Sequence, residues 1–202
     1  MASRRSIPDA AEARFFRLPV VSLAAEYLVM GHLLRRNILT YKAPPGNEGY
    51  DLICIHPDAH RQRGRVVRVQ VKSRYATDCD RGFPVKEATL TAFDFLVVAF
   101  LNIGRFAGRK DGSTGAAEPE FFTLPAAFIR SHHDATSSWQ KVKLRGLDDE
   151  IRPYKGEAGF EQIATALGVA RPTKARDIDI PALAGRRRAR STRPRRTTPL
   201  GW

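Results

Sequence analysis

Residues 93–101, Phe93-Asp94-Phe95-Leu96-Val97-Val98-Ala99-Phe100-Leu101, make a nearly unbroken apolar run between turn formers. It is far shorter than the roughly 20 residues needed to cross a bilayer. It also lacks the alternation of a strand with one wet face, so it predicts a central strand covered on both sides. Such a strand needs layers above and below it, and the remainder of the chain has to supply them.

The flanking segments read accordingly. From Leu18-Pro19 to about Asn37, Val20, Leu23, Ala24, Tyr27, Leu28 and Leu34 recur at roughly helical spacing, with Pro19 suited to a first turn. Ile38 to Lys42 predicts a short strand, stopped by Ala43-Pro44-Pro45-Gly46 because consecutive prolines cannot extend a ladder. Tyr50 to His56 and Arg65 to Ser73 predict an antiparallel pair joined by the basic loop Pro57 to Gly64. Glu120 to Thr123 leads as a strand into a helix that starts near Pro125, and Trp139 to Leu144 predicts one more strand. A last helix, Glu157 to Leu167, stops at Gly168. The order predicts an α/β fold, a mixed sheet flanked by helices, over residues 18–170.

Charge divides the chain. The formal net charge is +13, and residues 171–202 hold nine Arg and one Lys against two Asp, a net +8. Arg, Pro, Ser and Thr dominate there with few large apolar groups, so burial cannot offset the entropy of ordering, and a disordered basic tail is expected. Residues 1–17 read as an N-terminal extension without the apolar stretch of a signal peptide. Two cysteines, Cys54 and Cys79, make no disulfide framework and no zinc spacing. A cytoplasmic protein with no membrane partner is expected, and the excess of arginine predicts attraction to nucleic acid.

Chemistry concentrates on the strand pair. Asp51 stands at the start of the first strand, and Val69-Gln70-Val71-Lys72 lies on the second. Period-2 geometry turns Val67, Val69 and Val71 into a core while Gln70 and Lys72 point the other way together. A carboxylate and an amide oxygen are hard ligands suited to Mg²⁺, which keeps several waters of its own. A lysine beside them could orient a water or offset charge on a phosphate.

These residues resemble the PD-(D/E)xK nuclease superfamily, of restriction-endonuclease-like fold, in a branch with a Gln-x-Lys third motif. Over roughly residues 18–130 the order of elements is similar. Asp51 matches the first acid, Gln70 the second ligand, Lys72 the lysine, and Glu26 the acid of the preceding helix. The resemblance implies a metal-dependent DNA endonuclease in which Glu26, Asp51 and Gln70 hold Mg²⁺, with Mn²⁺ as a substitute, and Lys72 positions the attacking water. It also implies a homodimer. Gln70 departs from the pattern, since an amide brings no charge. That departure favours an alternative, a nuclease-fold protein that binds nucleic acid or serves as an assembly subunit without turnover.

Arg61, Arg63 and Arg65, with Ser73 and Arg74 after the lysine, are candidates for the phosphate backbone of DNA, or of RNA. A second basic loop, Arg105 to Lys110, has the same reading. Glu48, in the loop before Asp51, is expected to be a solvated acid. His56 and His60 are separated by Pro57 and cannot share a helix face, and the adjacent His132 and His133 point apart, so neither pair is expected to do chemistry. Cys54 is expected as a small buried side chain.

Overall fold

The computed structural model describes residues 19–61, 65–77, 80–103 and 117–169. Helix α1 (Pro19–Leu34) is followed by strands β1 (Leu39–Lys42), β2 (Leu52–Ile55), β3 (Val66–Arg74), β4 (Gly82–Pro84), β5 (Phe95–Phe100) and β6 (Glu120–Pro125). Then come α2 (Ala126–Ser131), β7 (His133–Asp134), β8 (Lys141–Lys143), α3 (Asp148–Ile151) and α4 (Gly156–Leu167). The N-terminal extension, Arg63, Cys79, the Arg105–Lys110 loop and the Arg-rich tail all lie outside the described residues.

Five strands form one mixed sheet in the order β1-β2-β3-β5-β6. β3 pairs antiparallel with β2 and parallel with β5, in a register running from Val69 opposite Phe95 to Arg74 opposite Phe100. All six residues of β5 are buried, as the apolar run requires. β5 is covered on both faces, but it lies one place from the β6 edge rather than at the centre, which β3 occupies. On one face, Ala25, Val29 and Leu33 of α1 and Phe160, Ile163 and Leu167 of α4 pack on Leu52, Val69, Val71 and Val97. On the other, Leu96, Val98 and Leu124 meet Ile129 of α2 with Phe83 and Val142 of a second sheet, β4-β8-β7. The fold is thus the expected mixed sheet flanked by helices.

Helix α1 faces the sheet with different residues from those its spacing suggests. Val20 is 60% exposed and Tyr27 53%, and Leu23, Leu28 and Leu34 are also exposed, whereas Ala25, Val29 and Leu33 are fully buried. The helix is apolar around most of its circumference, so periodicity could not select the buried side. The small sheet went unforeseen apart from the strand at Trp139 to Leu144, of which Lys141–Lys143 is regular. Helix α4 ends as expected, with Gly168 left-handed at φ 71°.

Asp94 closes the start of the parallel pair. Its carboxylate accepts from the Arg68 backbone N–H at 2.7 Å and from Arg68 Nε and Nη2 at 3.2 Å each. Its own N–H donates to Arg68 O, and its carbonyl accepts from Ala126 N–H, both at 2.9 Å. One residue therefore ties β3, β5 and the start of α2. Replacement Asp94→Ala leaves the Arg68 N–H without its acceptor and should destabilise the fold by about 1–3 kcal/mol, read as a lower urea midpoint at unchanged slope.

Candidate active site

The chain enters β2 through a turn that aims Asp51. Asn47 donates from its side-chain amide to Tyr50 O at 2.7 Å, and Gly49 adopts φ 108°. A Cβ on Gly49 would come within 2.4 Å of Ala92 Cβ, so the loop is pressed against the segment leading to β5. Asp51 then fastens to β3 on both sides of Gln70. Its N–H donates to Val69 O at 2.9 Å, and its Oδ2 accepts from Val71 N–H at 2.6 Å.

Asp51, Gln70 and Lys72 line one cavity of about 400 Å³. Asn47, Glu48 and Gly49 form one wall, and Pro84, Val85, Lys86 and Thr89 form the other. Sequence reasoning missed that second wall, for it comes from the segment between β3 and β5, which carries no motif. Lys86 is exposed. Glu48 lines the opening as an exposed acid, in keeping with its expected solvation.

Electrostatics single out two of the three central groups. Gln70 is only 8% exposed, and its Oε1 has no hydrogen-bond partner. A buried amide oxygen left without a donor costs about 1–3 kcal/mol, and it faces a cavity where something could supply the missing interaction. Burial pushes the Lys72 ammonium below its ordinary pKa, assisted by the Arg74 charge and opposed by the Asp51 carboxylate.

Among the described residues no three His, Cys, Asp or Glu side chains converge to hold a metal. The donor set nonetheless fits a hard divalent cation that keeps most of its water: one carboxylate from Asp51 and the orphaned Gln70 oxygen, with room for solvent or phosphate.

Glu26 is not among the residues lining this cavity. It pairs instead with Lys42 of β1, its side chain 16% exposed. Lys42 lies opposite Leu52, whose side chain belongs to the α1 face of the sheet. The ion pair therefore lies on the α1 face of the sheet, opposite the face to which Gln70 and Lys72 turn.

The basic candidates divide. Arg74 is taken up by the protein's own backbone: Nε donates to Asp80 O at 2.9 Å, Nη1 to Ser73 O at 3.2 Å and Nη2 to Gly82 O. Its guanidinium also lies 4.7 Å from the Phe83 ring centroid. These contacts make it a staple between the end of β3 and β4. Ser73 is half-buried. Arg65 sits over the C-terminus of α4, with its Nη1 2.7 Å from the position a Cβ on Gly168 would take. Arg61 is exposed and 3.7 Å from Asp58.

Three histidines have partners within the protein. Asp58 N–H donates to His56 Nδ1 at 3.0 Å, His132 lies 3.2 Å from Glu150, and His133 Nε2 is 2.8 Å from Val85 O. Cys54 is buried, and desolvation pushes its thiol pKa up to about 12.

No family model matches the sequence, and no curated protein matches it. Among solved structures the chain is similar to a bacterial homing endonuclease, I-Ssp6803I, at 18% identity and a TM-score of 0.42, over 74% of this chain and 93% of that one.

Two outcomes test the site. Gly49→Ala forces a side chain into both a left-handed backbone and the Ala92 contact, and should cost about 2–3 kcal/mol of unfolding free energy. Lys72→Met removes a half-buried cation whose folded pKa is lowered from 10.5. The unfolded chain binds more protons between the two values, so the parent gains stability as pH rises through that window. The variant should melt at or above the parent temperature at pH 7, and its advantage should shrink toward pH 10.5 in a pH series of thermal melts.

Proposed function

We propose that this protein is a metal-dependent endonuclease that hydrolyses phosphodiester bonds of DNA. The observation that carries the reading is the buried, unpartnered Gln70 oxygen beside the Asp51 carboxylate and the Lys72 ammonium in one open cavity. Asp51 and Gln70 would hold Mg²⁺, or Mn²⁺ in its place. Glu26, assigned to the water around that ion, would have to leave both Lys42 and the α1 face to take that role. When bound, the ion would polarise the phosphate and offset charge on the pentacoordinate transition state.

The side chains provide the remaining work. Lys72, half-desolvated and held beside Asp51, orients the attacking water and stabilises the developing negative charge, an interaction that is stronger away from bulk solvent. Gln70 positions without adding charge. Arg61, Arg63, Arg65 and Ser73 would contribute contacts to the nucleic-acid backbone, giving an affinity that falls steeply with salt. Hydrolysis of both strands of a duplex calls for two sites, which a homodimer would supply.

The test compares the parent with Asp51→Ala, Lys72→Ala and Gln70→Glu on supercoiled and linear DNA, with Mn²⁺ affinity measured by calorimetry alongside. Asp51→Ala should abolish both metal binding and cleavage. Lys72→Ala should retain metal and DNA affinity within a few fold while losing about 100-fold or more in cleavage rate. Gln70→Glu should tighten Mn²⁺ binding. A parent that binds DNA but cleaves nothing with any metal would leave the non-catalytic nucleic-acid binder as the function.

A further inference from the structure

We infer that the small β4-β8-β7 sheet is a nucleic-acid platform on which Trp139 stacks against an unpaired base beside the proposed cleavage site. This deepens the nuclease reading and rests on it for the substrate class. Trp139 is 70% exposed, the most exposed large apolar side chain among the described residues. The flat face of an exposed indole suits any base.

What distinguishes Trp139 from an incidental surface aromatic is its anchoring. The next residue, Gln140, is bonded twice to the cavity wall: Val85 N–H donates to its backbone O at 2.8 Å, and Glu87 N–H to its side-chain Oε1 at 2.9 Å. Gln140 itself takes a left-handed backbone, φ 45°, which sets the direction in which the chain leaves Trp139. The wall so gripped is the one that carries Val85 and Lys86 into the cavity of Asp51, Gln70 and Lys72.

Charge around the indole also suits a polyanion. Lys141 pairs across strands with Pro84, a residue of the cavity wall, so it lies on the outward face of the small sheet. Lys86 is exposed on the same wall, and the nearby acid Asp134 is neutralised by Lys143 at 3.1 Å. The acids nearby are Glu87, exposed next to Lys86, and Asp80, whose carboxylate shares the surroundings of Gly82 with the Lys141 stem. Lys86 on the wall, Lys141 on the adjoining sheet and one neighbouring aromatic match a sugar-phosphate strand with a splayed base better than a flat duplex edge.

Trp139 and Trp202 are the chain's two tryptophans, so Trp202→Phe isolates the signal. That full-length variant is titrated in Ca²⁺, without turnover, with a single-stranded oligonucleotide and with an intact duplex of the same sequence. Expected are quenching of Trp139 emission that is stronger for the single strand, and a 5- to 100-fold loss of single-strand affinity in Trp139→Ala, measured by anisotropy, with Trp139→Phe recovering most of it. No quenching, equal quenching by the duplex, or an affinity unchanged within twofold in Trp139→Ala would overturn the inference. The failure modes separate: loss of the nuclease reading leaves Trp139-dependent binding without cleavage, whereas loss of the platform leaves cleavage in Trp139→Ala.

Discussion

The parallel pairing of β3 with β5 is the constraint from which the site follows. Antiparallel neighbours can be joined by a tight turn, but parallel ones force the chain to leave the sheet and return to the same end. Here the return path runs through β4 and the turn around Glu87, and it passes the face that carries Gln70 and Lys72. The cavity is therefore a by-product of sheet topology. One wall is the strand pair itself, and the other is the connection that the parallel register makes unavoidable.

Burial explains the division of labour within β3. Val67, Val69 and Val71 join the core shared with α1 and α4, which fixes the strand's rotation and leaves Gln70 and Lys72 turned toward the other side. A one-residue slip would bury the lysine under α1 and turn three valines out of the core, so hydrophobic patterning holds the polar pair in place together with the Asp51 bonds to Val69 and Val71. The same desolvation that lowers the Lys72 pKa leaves the Gln70 oxygen without a partner.

Much of this was legible in the residues. The β5 run announced a doubly covered strand, the valine alternation of β3 announced which way Gln70 would face, and Gly168 marked the end of α4. The losses have physical causes. Gly82–Pro84 and His133–Asp134 are too short for any period to show, so the second sheet left no trace except near Trp139. In α1 apolar residues run around most of the helix, so spacing did not single out the inward Ala25, Val29 and Leu33. Arg74 read as a surface cation because a sequence does not reveal three carbonyls waiting at the end of a strand. Glu26 was assigned from the order of elements, which says nothing about Lys42.

The manner in which Asp51 is held bears on how such a site tolerates change over time. Its carboxylate is steered by a main-chain N–H, that of Val71, and every non-proline residue carries such a donor. Position 71 can drift among apolar side chains without disturbing the aim of the acid, since the donor belongs to the ladder and not to the residue. A carboxylate oriented by a side chain would tie two positions into joint inheritance. This one leaves its neighbour free to vary, and only proline at that position would break the arrangement.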